Sequence, residues 1–145
     1  MEFIKLETLD SVENAIMDFL PCFEHLTEKV DDIHSYSVKL FNFAEVYILE
    51  NNSIRKGISV FYANDSEKHI GYISLIGIKQ QYRKRGYGKK IIDFTHEVMK
   101  SKGMKYSKLE VDNDNNNAYN FYLHEGYSPD EKIASEKSIY LIKPL

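Results

Sequence analysis

The chain of 145 residues has no tryptophan, a single cysteine, three prolines and seven glycines. With Cys22 alone, an internal disulfide framework and a multi-cysteine metal site are both excluded. A reducing compartment is the expected setting. The five histidines (His25, His34, His69, His96 and His124) show no ligand spacing and read as surface or core residues, so no metal is expected. Proline and glycine nowhere cluster and nothing repeats, so residues 1–145 read as one domain without a linker. The longest apolar stretch, about Tyr72–Ile78, is broken by Ser74 and falls far short of the ~20 residues of a membrane span. The opening Met1-Glu2-Phe3-Ile4-Lys5-Leu6-Glu7 lacks the basic and apolar regions of a secretory leader. The expectation is a soluble, cytoplasmic protein with no membrane partner.

What is present can build a core: 43% of residues are hydrophobic and 13% aromatic. A chain of this size buries roughly 70% of its unfolded surface and needs no covalent staple. The net charge of −3 divides unevenly. Residues 1–50 hold eleven Asp and Glu against three Lys and Arg, a balance of −8; residues 51–145 hold eleven against sixteen, a balance of +5. The acidic third would repel a phosphate backbone and the basic run is short, so nucleic acid is not an expected partner.

Periodicity orders the elements. Phe3–Glu7 alternates as a short strand. Asp10 or Ser11 is positioned to cap a helix reaching about Leu20, with Val12, Ala15, Ile16, Phe19 and Leu20 as its stripe and Pro21 as its stop. A second helical pattern spans about Asp32–Phe43, with Ile33, Tyr36, Val38, Leu40 and Phe41 apolar. Glu45–Leu49, Gly57–Ala63 and Ile70–Ile78 read as strands, separated by turns at Asn51-Asn52 and Asn64-Asp65. A long helix from Gly86 to Lys100 turns Ile91, Ile92, Thr95, Val98 and Met99 inward and stops at Lys102-Gly103. Tyr106–Val111 is a strand, Asn115–Glu125 a helix ending at Gly126, and 127–134 and 137–143 are two closing strands. The order β-α-α-β-β-β-α-β-α-β-β implies an α/β class with a mixed sheet and helices on both faces.

The strongest local signal is Arg83-Lys84-Arg85-Gly86-Tyr87-Gly88-Lys89-Lys90, five positive charges in eight residues, leaving a strand and opening a helix. A helix N-terminus has unpaired N–H groups and a partial positive charge, so it attracts anions. Gly86 and Gly88 would let a phosphate approach the backbone; the alternative is a tight turn with a solvated basic face. The spacing matches neither the Walker loop nor Gly-x-Gly-x-x-Gly, since position 91 is Ile91.

Ile78-x-x-x-Tyr82-Arg83-x-x-Gly86-x-Gly88 resembles the acyl-CoA-binding motif of the GNAT N-acetyltransferases. Leu109-Glu110-Val111-x-x-x-Asn115-x-x-Ala118-x-x-Phe121-Tyr122-x-x-x-Gly126-Tyr127 resembles the second signature of that family, and the element order matches its fold from Phe3 to Lys143. Gln80 stands where many members have proline. The resemblance implies acetyl-CoA as acyl donor, with its pyrophosphate on the N–H groups of Arg85, Gly86, Tyr87, Gly88 and Lys89, and with Arg83 and Lys84 adding charge. It implies that backbone groups of Ile76 and Ile78 bind the pantetheine arm as a pseudo-strand. Asn115 would bond the cofactor backbone, cap its helix, or do both. Tyr122 is the candidate acid for the departing thiolate; otherwise it packs beneath the cofactor. Glu110 is the candidate base, twelve residues before Tyr122 as in bacterial ribosomal-protein N-terminal acetyltransferases; otherwise it pairs with a lysine. Glu67 and Glu45 are lesser base candidates, and Cys22 reads as core.

The expected activity is direct acetyl transfer to a primary amine. The acids between the first two strands (Glu13, Asp18, Glu24, Glu28, Asp31 and Asp32) would favour a cationic small molecule or a protein N-terminus if they rim the acceptor site; otherwise they form a solvated helix face. The alternative function is a catalytically silent acyl-CoA-binding module acting as sensor or partner subunit. The resemblance also implies a homodimer as the default assembly.

Overall fold

The sheet is built from the β-branched and aromatic runs of the chain, and its order follows the hairpins. The computed structural model describes the backbone of residues 1–145 and the side chains of all but 131–133. Strands β1 (Glu2–Lys5), β2 (Glu45–Asn51), β3 (Ile54–Tyr62) and β4 (Ile70–Ile78) pair antiparallel in sequence order. The β2–β3 hairpin closes on Asn52 and Ser53, both at positive φ (52° and 64°), which matches the twist of a two-residue turn. β4 then pairs parallel with β5 (Tyr106–Asp112) across a helical crossover. β7 (Ser138–Pro144) pairs antiparallel with β5, and β6 (Ser128–Ile133) takes the edge, giving the order β1-β2-β3-β4-β5-β7-β6.

Helices cover both faces. On one lie α1 (Leu9–Phe19) and α3 (Ile33–Phe43), joined through a 3-10 turn at Leu20–Cys22 and a one-turn helix α2 (Leu26–Lys29). Val12, Ala15, Ile16, Phe19 and Leu40 pack there on Val46, Ile48, Ile58 and Val60. On the other lie α4 (Tyr87–Ser101) and α5 (Asn116–His124), where Ile92, Met99 and Tyr127 pack on Phe61, Ile73, Leu109, Val111 and Leu141. Gly71 is small because α4 lies on it: a Cβ there would come within 2.6 Å of Met99 Sδ. Among the described residues no helix is long and apolar enough to cross a membrane.

Three local expectations need correction. Thr8, not Asp10 or Ser11, caps α1; Ser11 is the third helical residue and returns a bond, completing a capping box. Ser37 and Leu40 are the buried residues of α3 and Ile33 and Tyr36 also pack on the core, while Phe41 is exposed and Val38 only partly covered. Packing against α1 selected that face, and the close approach favours a small residue at Ser37. Third, the short α2 interrupts what periodicity reads as a connection.

Candidate active site

The parallel ladder between β4 and β5 stops early. It runs from Ile70↔Tyr106 to Ile73↔Leu109, and beyond that pair the strands part. At the same place Ser74 is an extra residue in the β3–β4 register, which passes from Val60↔Leu75 to Phe61↔Ile73. Such a bulge sharpens the local twist and turns the strand end away from its neighbour. The result is a fork whose first residues are Ser74 on β4 and Glu110 on β5. Lys79 N–H donates to Lys56 O on the β3 side, so by strand alternation Ile76 and Ile78 aim their backbone groups into the fork. The Ile78 carbonyl already accepts from Arg83 Nε (3.0 Å) and Cys22 Sγ (3.4 Å), so among the described residues Ile76 keeps both groups, and Ile78 its N–H, without a β5 partner. Burial raises the Cys22 thiol pKa, although Arg83 opposes it.

At the mouth of the fork, α4 begins. Its N-cap, Gly86, sits at φ +82°, a left-handed conformation in which a side chain is strained. Lys84 shares that region at φ +63°. α1, α3 and α5 are each capped by a side chain (Thr8, Asp32 and Asn115), but α4 is not, and it has no acid in its first turn. Lys90 N–H bonds to Gly86 O, while the N–H groups of Tyr87, Gly88 and Lys89 find no partner among the described residues. Gly88 serves packing as well as access, since a Cβ there would lie 3.4 Å from the Phe121 ring and 3.7 Å from Ile78.

The basic side chains divide between two tasks. Lys89 bonds Asp93 (3.2 Å) and the largely buried Glu125 (3.3 Å), tying α4 to the end of α5, so its charge is already matched. Arg83 is turned back onto Ile78 O. Arg85 lies over the Tyr82 ring at 5.9 Å, and Lys56 over the same ring at 3.7 Å. Asn115 Oδ1 accepts from Ala118 N–H (3.1 Å), which makes it the cap of α5.

The two candidate catalytic groups lie on opposite faces of the sheet. Glu110 shares the α1–α3 face with Lys108 and Asp112, is exposed, and has no ion-pair or hydrogen-bond partner among the described residues. Tyr122 lies on the α4–α5 face, edge-on to Phe121 (5.2 Å) and Tyr127 (5.5 Å), and burial pushes its hydroxyl up to about 12. Behind it the Tyr127 hydroxyl joins His96 Nε2 (2.6 Å) to Ser107 Oγ (2.7 Å) in a buried chain. Burial, aided by Lys143, lowers His96 to about 4. That chain was invisible in sequence, because α4, β5 and Tyr127 in the segment between α5 and β6 meet only in the fold.

The lesser base candidates lie away from the fork. Glu67 is in the turn before β4, at the strand's opposite end. Glu45 bonds Lys102 (2.8 Å) and Lys5 (3.2 Å); burial opposes its ionisation, but the two lysines hold its carboxyl below the usual range. Of the acids between β1 and β2, Glu13 faces His34 (3.2 Å), Asp18 bonds Lys79 (2.9 Å), Glu28 faces His25 (3.0 Å) and Asp32 caps α3. Local contacts engage these four, and a free acidic rim is not what they form. α2 also reaches across the mouth: Lys29 Nζ lies 4.0 Å from Asp112 Oδ1.

Residues 9–127 match the model of the acetyltransferase (GNAT) family. A 57-residue segment is 35% identical to N-alpha-acetyltransferase 30 of Schizosaccharomyces pombe, covering 39% of this chain and 38% of that protein. The fold resembles the ribosomal-protein-S18-alanine N-acetyltransferase of Escherichia coli, with a TM-score of 0.78 at 14% identity over 99% of this chain and 92% of the other. It likewise resembles the PaiA N-acetyltransferase of Thermoplasma acidophilum in complex with coenzyme A, with a TM-score of 0.76 at 15% identity over the whole of both chains.

Proposed function

Because the chain belongs to the acetyltransferase (GNAT) family, we propose that it transfers an acetyl group from acetyl-CoA directly to a primary amine. The observation that carries this reading is the fork between β4 and β5 opening beside an uncapped α4. A pyrophosphate fits three convergent backbone N–H donors at a helix N-terminus. Arg85 and Lys84 supply charge there, whereas Arg83 and Lys89 hold the surrounding backbone through Ile78 O and Glu125. The pantetheine amides add to β4 as a short strand on Ile76 and on the Ile78 N–H.

The thioester then lies in the fork, with Glu110 towards one face and Tyr122 towards the other. An alkyl amine of pKa ~10.4 is neutral in only about one part in 2,500 at pH 7, a deficit of about 4.6 kcal/mol. Glu110, directly or through one water, accepts the proton as the C–N bond forms. The C–S bond breaks towards Tyr122. A phenol at about 12 stays protonated at neutral pH, and against a thiol of ~8.5 full proton transfer would cost about 5 kcal/mol. Tyr122 therefore donates a hydrogen bond to the developing thiolate and keeps its proton. The test is thiol release from acetyl-CoA over a panel of amines, with mass spectrometry of the product. An acetylated amine supports the reading; acetyl-CoA binding with no release for any amine refutes it in favour of a silent binding module.

A further inference from the structure

The face of the sheet under α1 and α3 changes character where those helices end. Over β2 and most of β3 it carries the aliphatic side chains Val46, Ile48, Ile58 and Val60, with Leu75 beside them on β4. Towards β5 and β7 it carries tyrosines. Tyr62 and Tyr72 are direct cross-strand partners on β3 and β4, and Glu110 and Tyr140 are direct partners on β5 and β7. Such partners have Cβ atoms about 5 Å apart on one face. From α3, the Tyr36 hydroxyl reaches Ser74 Oγ at 3.5 Å. Tyr72 belongs to the rungs just below the fork, and Ser74 and Glu110 are the first residues beyond it. Five hydroxyls and one carboxylate thus ring the point where the strands separate. The Tyr72 hydroxyl, pushed up to about 12 mainly by burial and next by the Glu110 carboxylate, feels that carboxylate directly.

The charges around this ring limit what it can hold. Lys108, two residues before Glu110 on the same face, lies 4.2 Å over the Tyr140 ring and bonds Asp130 at 3.2 Å. Asp112, two residues after, has Lys29 at 4.0 Å. Asp130 and Asp112 are therefore each matched by a lysine, and among the described residues of these strands Glu110 is the carboxylate left for an incoming cation.

We propose that Tyr36, Tyr62, Tyr72, Ser74 and Tyr140 around Glu110 form the acceptor subsite, and that it selects a primary amine with one positive charge on a neutral body. This rests on the acetyl-transfer reading above. One ammonium meets Glu110 and the electron-rich ring faces, while the hydroxyls bond an uncharged polar group next to the amine. A second ammonium a few ångströms away meets Asp130 and Asp112 already matched by Lys108 and Lys29 and gains no carboxylate of its own. This excludes polyamines and aminoglycosides as preferred acceptors.

The experiment measures kcat/KM at fixed acetyl-CoA for a tripeptide amide with a free α-amine, for 2-phenylethylamine, for spermidine and for an aminoglycoside. The monocations are expected to exceed the polycations by about 10-fold or more. Lys108→Gln should raise the spermidine-to-tripeptide ratio by about 10-fold. Tyr140→Phe should raise KM for the amine while acetyl-CoA affinity, measured by calorimetry, stays the same. Preference for spermidine, or a ratio unmoved by Lys108→Gln, overturns the proposal and leaves acetyl transfer standing. Acetyl-CoA binding with no turnover of any amine overturns acetyl transfer itself.

Discussion

Gly86 separates backbone strain from charge at the proposed pyrophosphate site. At φ +82° a substituted residue is held in the left-handed region, at a cost of about 1–2 kcal/mol. A Cβ there meets nothing within 4 Å, so Gly86→Ala adds no clash. It should fold, melt a few degrees lower and keep most of its acetyl-CoA affinity. Gly86→Asp carries the same strain and adds a carboxylate beside the free N–H groups of Tyr87, Gly88 and Lys89. At ~5 Å and an effective dielectric of ~20, one unit of repulsion against a phosphate is about 3 kcal/mol, or roughly 200-fold in affinity. The carboxylate also competes for those donors. Isothermal titration of coenzyme A into both variants, alongside thermal melts, reads the two effects apart. Equal losses for Ala and Asp would mean that strain alone matters. Unchanged affinity in Gly86→Asp would mean that the phosphates bind elsewhere.

Tyr122→Phe removes one hydroxyl and keeps the ring contacts with Phe121 and Tyr127; kcat should fall about 10- to 100-fold with acetyl-CoA affinity unchanged, and an unaltered kcat would remove Tyr122 from the chemistry. His96 is neutral in the fold down to about pH 4 but takes a proton near 6.5 when unfolded. Stability should therefore fall as pH drops from 6.5 towards 4, by up to about 3 kcal/mol, and level off below that. Denaturant melts across that range should show the slope in the wild type and a shallower one in His96→Gln. Ser37 Oγ is buried with no hydrogen-bond partner among the described residues, so Ser37→Ala should raise stability by about 0.5–1 kcal/mol in urea unfolding; a lower midpoint would mean that the hydroxyl is satisfied.

The chain's local signals determined the elements and their order. Alternation, the apolar stripes of α1 and α4, Pro21 and Gly103 specified strands, helices and stops within a residue or two, because these depend on neighbours in sequence; the exception is β3, which begins at Ile54 rather than Gly57. The basic loop and its two glycines were legible for the same reason: an anion site at a helix start is a local device. Side-chain assignments were less so. Lys89 and Arg83 look like phosphate ligands in sequence, yet the fold gives them Glu125 and Ile78 O as partners. Of the apolar residues in the α3 pattern, Ile33, Tyr36 and Leu40 pack on the core while Phe41 is exposed, because α1 decides which side of the helix is covered. The tyrosine ring was illegible altogether: among eleven tyrosines, only cross-strand register brings Tyr62 to Tyr72 and Tyr140 to Glu110. Pattern sets which residues a strand offers to each face; the fork, which decides what those faces do, exists only where the β4–β5 ladder stops and the bulge at Ser74 turns β4 aside.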